Sequence, residues 1–142
     1  RTRTLAVSNF APDARLIRDS DFLARIGLCE LRIMNDSRWP WLVLIPQRPD
    51  MSEIFDLSPL DQSRLSVETN MVAAALKRIT GADKINIGAL GNIVRQLHVH
   101  IVARSEGDAN WPGPVWGFGK AEPWTLDAKR HLTQALLKAL QE

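Results

Sequence analysis

Cysteine is almost absent from this chain of 142 residues: Cys29 is the single one, so no internal disulfide can form. Disulfides persist in oxidising compartments and are rare in cytosolic proteins, so we expect a cytoplasmic location. Long apolar runs are also missing, since no stretch approaches the roughly 18 residues that predict a membrane-spanning helix. The sequence therefore predicts no membrane partner, and Cys29 is expected to be a small core residue.

A strong excess of one charge is lacking too. The chain has 18 basic and 16 acidic residues, a formal net charge of +2. Its positive charges are scattered, with no run longer than the pairs Lys77-Arg78 and Lys129-Arg130, whereas dedicated nucleic-acid binders concentrate theirs. We expect no nucleic-acid partner. The length fits one domain, residues 1–142, which can bury about two thirds of its unfolded surface.

Helical spacing predicts one long helix in the middle of the chain. Ser58-Pro59-Leu60-Asp61 is typical of a helix start, since it has a serine cap, a proline at the first position and an acid in the first turn. The apolar residues that follow recur on one helix face, and Gly81 ends the run. Thr125 is the predicted cap of a C-terminal helix, and residues 12–18 suggest a short first one.

Short apolar runs predict the strands. One or two lie in residues 22–34, where Gly27 interrupts the run, and three more are expected at 41–45, 85–89 and about 95–103. Short connections between strands favour antiparallel pairing. We therefore predict an α+β domain with a mainly antiparallel β-sheet of about five strands, one long helix and a C-terminal helix.

Two of the three histidines lie close together, in the segment Gln96-Leu97-His98-Val99-His100. Side chains alternate between faces along a strand. Gln96, His98 and His100 are therefore expected to point one way, with the apolar residues between them pointing into the core. Like-facing neighbours lie about 6.6 Å apart, so the segment predicts a polar row of two imidazoles and one amide.

Such a row is compatible with several roles. A neutral imidazole is a nucleophile near pH 7, so one ring could attack phosphorus while the next donates to phosphate oxygens. The glycine loop at residues 88–92 could supply N–H groups for an anion. The histidines could instead bind a metal, although His131 is remote in sequence and Cys29 has no partner thiol. They could also be polar surface residues of an ordinary strand.

A longer series of residues narrows these alternatives. Asn86 in a strand, then Gly91, the segment 96–102 and Trp111-Pro112-Gly113 occur in an order that resembles the histidine-triad (HIT) superfamily. The resemblance covers roughly residues 28–116. It is closest to small bacterial histidine-triad proteins and more distant from the nucleoside phosphoramidase and dinucleoside polyphosphate hydrolase branches. It implies a HIT-like α+β fold and usually a homodimer built across the long helix and a sheet edge.

The resemblance also implies a role for individual residues. The family pattern is His-φ-His-φ-His-φ-φ, with φ apolar, and its middle histidine attacks the α-phosphate to form a covalent nucleotidyl-histidine. By that match His98 is the nucleophile and His100 hydrogen-bonds to phosphate oxygen. Asn86 matches an asparagine near the phosphate, and Asn35 falls near an acidic residue that binds ribose. The resemblance implies no metal or other cofactor.

Two residues depart from the family pattern. Gln96 replaces the first histidine, but its amide can still donate and accept hydrogen bonds, so we expect the orientation of His98 to be kept. Ile93 replaces a serine that contacts the phosphate region in the phosphoramidase branch. It offers only its backbone N–H, and Asn92 is at best a partial substitute. Losing one hydrogen bond to a developing charge lowers a rate on the order of 100-fold.

The sequence thus predicts a nucleotide hydrolase or nucleotidyl transferase acting through His98 on a nucleoside phosphate ester, anhydride or phosphoramidate. One alternative is a nucleotide-binding module with little or no catalysis, a sensor or interaction protein, which Gln96 and Ile93 favour. Another is a metal-dependent hydrolase with His98 and His100 as ligands.

Trp111 and Trp116 either form a lip over the substrate or belong to a packed loop. Trp39 and Trp41 are expected to pack in the core or an interface. Arg104 follows the histidine strand and could contact phosphate, but it is expected to be a surface residue.

Overall fold

The computed structural model describes residues 10–142. The helices are α1 (Ala14–Asp19), α2 (Pro59–Thr80) and α3 (Leu126–Leu140), with a short 3₁₀ turn at Ile54–Asp56. The strands are β1 (Ser20–Ile26), β2 (Cys29–Met34), β3 (Trp41–Pro46), β4 (Lys84–Gly88) and β5 (Val99–Arg104). They form one sheet in the order β1-β2-β3-β5-β4, and every neighbouring pair is antiparallel. The predicted α+β fold class is confirmed.

One face of the sheet carries the main hydrophobic core, against α2 and α3. Alternate residues of the central strands point into this core because side chains alternate along a strand. Its most buried members are Cys29, Leu31, Ile33, Leu42, Leu44 and Ile101 from the sheet and Val72, Leu76 and Leu136 from the helices. None of the helices within residues 10–142 is long and apolar enough to cross a membrane.

The predicted helix ends are confirmed by their hydrogen bonds. The Ser58 hydroxyl accepts from the Asp61 N–H at 3.1 Å, and Gly81 ends α2 in the left-handed region with φ of 67°. The Thr125 hydroxyl accepts from the Ala128 N–H at 3.2 Å, so it caps α3. These side chains satisfy N–H groups that the first helical turn leaves without partners.

The predicted start of the last strand is wrong. β5 begins at Val99 rather than near Arg95, because its neighbour β4 ends at Gly88, which pairs with His100. Before that point the chain bends at Gln96, and the Leu97 N–H donates to the Met51 carbonyl at 2.8 Å, outside the sheet. His98 therefore lies at the junction between a bend and a strand.

The opposite face of the sheet carries two smaller hydrophobic clusters with the histidines between them. On one side, Trp39, Trp41 and Val102 pack against Val115 of the loop that follows β5. On the other side, Leu16 of α1 packs on Val43 and Ile45, with Phe10 and Val94 against them. Two chain segments, residues 10–19 and 105–124, thus cover the two flanks of this face.

Helix α2 is fastened to the β1–β2 hairpin by one buried carboxylate. Glu68 accepts from the N–H groups of Leu28 and Cys29 at 2.8 and 2.9 Å. The hairpin turns at Gly27, which has φ of 49°, and a Cβ built on Gly27 would lie 2.5 Å from the Glu68 carboxylate. Gly27 is therefore needed for two reasons, its conformation and its lack of a side chain.

We expect Gly27→Ala to lower the free energy of unfolding by more than Gly81→Ala does. Both substitutions place a Cβ at positive φ, which costs about 1 to 2 kcal/mol. Only Gly27→Ala also displaces Glu68, since nothing lies within 4 Å of a Cβ at Gly81. Urea unfolding of the two variants measures the difference. Equal losses would show that the Glu68 contact contributes nothing to stability.

Candidate active site

His98 and His100 lie side by side on the sheet face opposite the main core. Their ring centroids are 4.9 Å apart, and the ring planes meet at 73°. Both side chains are largely buried, at 6% and 7% exposed. The predicted juxtaposition of the two imidazoles is therefore present in the structure.

The ring of His98 is oriented by the backbone of Gln96. The Nδ1 atom of His98 lies 2.7 Å from the carbonyl oxygen of Gln96. A carbonyl oxygen can only accept a hydrogen bond, so Nδ1 must carry the proton in this contact. In a neutral ring, Nε2 then holds the free lone pair, which is the form that an attacking imidazole needs.

The ring of His100 is oriented in the opposite sense by Trp41. The indole Nε1–H of Trp41 donates to Nδ1 of His100 at 2.9 Å. An indole N–H can only donate, so Nδ1 of His100 is the acceptor and the proton of the neutral ring lies on Nε2. Burial, aided by the nearby His98, lowers the pKa of His100 to about 3. His100 is therefore neutral at physiological pH.

The two histidines are thus in complementary tautomers. His98 has an unprotonated Nε2, and His100 has an Nε2–H donor, each fixed by a partner on the other ring nitrogen. Such a pair can attack an electrophile with one ring and hydrogen-bond to its oxygen with the other. Trp41 was predicted only to pack; nothing in the sequence links it to His100, which the β3–β5 pairing brings within reach.

The glycine loop borders His98. A cleft of about 280 Å³ is lined by His98 and by five loop residues, Leu90, Gly91, Asn92, Ile93 and Val94. Gly91 has φ of 66°, a conformation that favours glycine. Within residues 10–142, no hydrogen bond occupies the backbone N–H groups of residues 91–94, so these donors are free for an anion.

Ile93 and Asn92 lie at the outer rim of this loop. Ile93 is 79% exposed, and Asn92 is exposed as well. Neither side chain has an intramolecular hydrogen bond within the described chain, whereas the Ile93 carbonyl accepts from Arg15 at 3.4 Å. The loop therefore offers unpaired backbone N–H groups and the Asn92 amide beside His98, whereas the Ile93 side chain adds no donor.

Asn86 lies on the histidine face of the sheet, but its side chain binds Arg104. It pairs with Val102, two residues beyond His100, and its Oδ1 accepts from the Arg104 guanidinium at 3.3 Å. The prediction that Arg104 lies on the surface is wrong, since it is only 1% exposed. Asp108 and the Gly113 carbonyl neutralise and bind its guanidinium at 2.7 and 2.8 Å.

Of the two tryptophans in the loop after β5, Trp111 packs within the loop and Trp116 contacts His100. Trp111 lies over Arg104, with the guanidinium carbon 5.6 Å from the ring centroid, so it belongs to the packed loop. Trp116 contacts His100, with ring centroids 5.7 Å apart. A Cβ on Gly88 would lie 3.2 Å from the Trp116 ring, so glycine at the end of β4 leaves room for this indole.

Asn35 lies at the edge of a second cleft, of about 320 Å³. The cleft is also lined by Trp41, which connects it to His100, and by Asp36, Arg38 and Phe118. The amide oxygen of Asn35 accepts from Lys129 at 3.0 Å. A polar rim and aromatic walls make this cleft suitable for a nucleoside-sized group.

The side chain of Gln96 does not join the histidine row. Its Oε1 accepts from the Asp13 N–H at 2.7 Å, and its Nε2 donates to the Ala11 carbonyl at 2.9 Å. The expectation that Gln96 shares a face with His98 fails because the chain bends at Gln96 and strand alternation does not apply there. The orientation of His98 instead depends on the backbone carbonyl of Gln96.

A metal site at His98 and His100 would need further ligands from other residues. The part of the chain from residue 10 onward contains no group of three or more His, Cys, Asp or Glu side chains that could hold a metal ion. Two Nε2 atoms alone do not make a protein metal site of the usual three or four ligands.

We expect His100 to stay neutral down to about pH 4, because the pKa of its buried ring is about 3. The unfolded chain binds a proton at this residue below about pH 6.5, so the folded state loses stability as pH falls from about 6.5 towards 3, by up to about 1.4 kcal/mol per pH unit. Histidine NMR resonances and urea unfolding of wild type and His100→Phe measure this. A His100 titration near pH 6 would contradict it.

Comparison with known proteins agrees with this geometry. The family model described as "HIT domain" matches residues 16–107. Two curated relatives, both AP-4-A phosphorylase, from the CDC 1551 and H37Rv strains of Mycobacterium tuberculosis, are 32% identical over 97 residues. That match covers 64% of this chain and 49% of theirs, so the chain spans about half the length of these relatives.

Solved structures give a fuller match. A histidine triad protein from Sinorhizobium meliloti 1021 is 61% identical with a TM-score of 0.91, and the match covers 92% of this chain and 97% of the other. A histidine triad protein from Bradyrhizobium japonicum is 41% identical with a TM-score of 0.91, covering 92% and 98%. One from Marinobacter aquaeolei VT8 is 37% identical with a TM-score of 0.90, covering 93% and 96%. The chain belongs to the histidine-triad (HIT) domain family.

Proposed function

We propose that this protein is a metal-independent nucleotide hydrolase or nucleotidyl transferase that acts at the α-phosphate through His98. The observation that carries the proposal is the complementary tautomers of the two imidazoles, fixed by the Gln96 carbonyl and the Trp41 indole. Family membership and the AP-4-A phosphorylase relatives support nucleotide chemistry in general. The particular substrate and the covalent step belong to the proposal.

The reaction proceeds in two displacements at phosphorus. Nε2 of His98 uses its lone pair to form a P–N bond, while the bond between phosphorus and the leaving group breaks and that group departs with the electron pair. Water or another acceptor then forms a new bond to phosphorus, loses a proton to solvent, and the P–N bond breaks. His98 returns to its neutral form, because its proton stays on Nδ1, hydrogen-bonded to the Gln96 carbonyl, while the electron pair of the broken P–N bond returns to Nε2.

Negative charge develops on the phosphate oxygens during both displacements. The Nε2–H of neutral His100 and the unoccupied N–H groups of residues 91–94 are fixed donors for this charge. Donors that are already in position stabilise such charge without reorganisation. The nucleoside occupies the cleft between Asn35 and Phe118, with its ribose beside Asn35.

We expect a covalent nucleotide on His98. Wild-type protein incubated with AP-4-A or an adenosine phosphoramidate, then quenched in base because phosphohistidine bonds are acid-labile, should gain the mass of one nucleotidyl group. The adduct should map to His98 by peptide analysis and be absent from His98→Ala. His131→Ala is the matched control, since His131 lies on α3 away from the pair; it should behave as wild type.

The alternative function, a nucleotide-binding module with little catalysis, makes a different prediction. It is favoured by the exposed Ile93 side chain, which gives the phosphate no hydrogen bond. In that case a nucleoside monophosphate binds without product formation, and His98→Ala changes its affinity little. If no adduct and no turnover are detected with several donors, the enzymatic proposal is contradicted and the binding module remains.

We also propose a cytoplasmic location, because the single cysteine, Cys29, is free and buried. We propose further that the protein forms a homodimer. Strand β4 is at the edge of the sheet, and its Ile87 is exposed together with Val67 and Met71 of α2. An exposed apolar face beside an open sheet edge is typical of a protein–protein contact.

For the homodimer, we expect the wild type to sediment as a dimer and Val67→Asp to dissociate more easily, by about tenfold or more in Kd, because a buried unpaired charge costs well over 1.4 kcal/mol. Leu126→Asp is the control, since Leu126 is an exposed apolar residue on α3 rather than α2. Analytical ultracentrifugation measures both. A wild type that remains monomeric at tens of micromolar would contradict the homodimer.

A further inference from the structure

The amide of Gln96 binds the backbone of the segment that precedes α1. It accepts from the Asp13 N–H at 2.7 Å and donates to the Ala11 carbonyl at 2.9 Å. These two backbone groups flank Pro12, which has no N–H of its own. A carbonyl and the N–H two residues later point to the same side of an extended chain, so one amide satisfies both groups as a neighbouring strand would.

Other contacts hold the same segment against the glycine loop. Phe10 packs with Val94 in the cluster around Leu16. The Arg15 guanidinium donates to the Ile93 carbonyl at 3.4 Å and forms an ion pair with Asp13 at 3.0 Å. Residues 10–15 are therefore attached to the loop from residue 93 to residue 96.

Gln96 also supports the nucleophile through its backbone. Its carbonyl accepts from Nδ1 of His98 at 2.7 Å. Residues 95–98 lie outside the sheet, so strand pairing does not fix this carbonyl. The Leu97 N–H bond to Met51 restrains the peptide that follows Gln96. The side-chain amide of Gln96 supplies a second restraint through its bonds to Asp13 and Ala11.

We propose that Gln96 is a positioning residue: by clamping residues 11–13, its side chain holds its own carbonyl where it fixes the tautomer of His98. The glutamine does not replace the first triad histidine as a group directed at the substrate. It makes the segment before α1 a structural part of the active site. The expected effect on the rate rests on the proposed function, whereas the expected effect on the tautomer of His98 does not.

The test uses two substitutions and one control. Gln96→Leu keeps about the same volume and removes both amide hydrogen bonds. Gln96→Glu keeps an acceptor for the Asp13 N–H but loses the donor to the Ala11 carbonyl. Gln47→Leu is the control, because the Gln47 amide also donates to a backbone carbonyl, that of Leu28 at 3.2 Å, at the end of the β1–β2 hairpin.

We expect Gln96→Leu to slow nucleotidylation of His98 by about tenfold, the scale on which residues that orient a reactive histidine act. The KM for the donor should change by less than about twofold, because substrate-binding groups are untouched. In ¹⁵N spectra of the imidazoles, His98 should change from one Nδ1–H tautomer to a mixture. Gln96→Glu should show smaller changes of the same kind, and Gln47→Leu should match the wild type.

Two results would overturn the inference. One is a Gln96→Leu protein that is folded and keeps both the wild-type rate and the single Nδ1–H tautomer. The other, which decides the matter if Gln96→Leu does not fold, is a Gln96→Glu protein with an unchanged His98 spectrum. If wild type forms no nucleotidyl adduct, the proposed function fails, while the spectra still decide the role of Gln96.

Discussion

A fixed acceptor beside one imidazole and a fixed donor beside the other determine what this site can do. The Gln96 carbonyl holds the proton of His98 on Nδ1, and the Trp41 indole excludes it from Nδ1 of His100. Neighbouring imidazoles without these partners would exchange tautomers and could both present a proton. Because each ring has one defined partner, the pair presents one lone pair and one N–H side by side.

The Gln96 carbonyl is close to His98 in sequence, but the other groups around the two histidines come from distant parts of the chain, and the sheet face brings them together. Trp41 reaches His100 because β3 pairs with β5. The loop after β5 is held by buried Arg104, which binds Asp108 and lies over Trp111, and it carries Trp116 to the ring of His100. On the other flank, residues 10–15 lie against the loop that precedes His98. The site is thus enclosed by the segment that precedes β1 and by the loop that follows β5.

The two positions that depart from the family resemblance have different surroundings. The side chain of Gln96 binds residues 11–13 and lies outside the histidine row. The side chain of Ile93 is exposed at the rim of the glycine loop and adds no donor there. In the proposed mechanism, the first difference concerns the geometry of the nucleophile, and the second concerns the charge that develops on the phosphate.

The sequence alone was sufficient to predict the fold class, the ends of α2 and the side-by-side position of the two histidines. This is because helix caps, apolar periodicity and a motif are local properties of the chain. It could not place the start of β5, which depends on where β4 ends, and so it wrongly kept Gln96 in the histidine row. Arg104 was missed as a buried residue because its partners are supplied by a folded loop. Trp41 was missed as the donor to His100 because cross-strand register exists only in the tertiary structure. Composition and periodicity describe what a segment prefers, whereas hydrogen-bond partners across the chain are decided only when the segments meet.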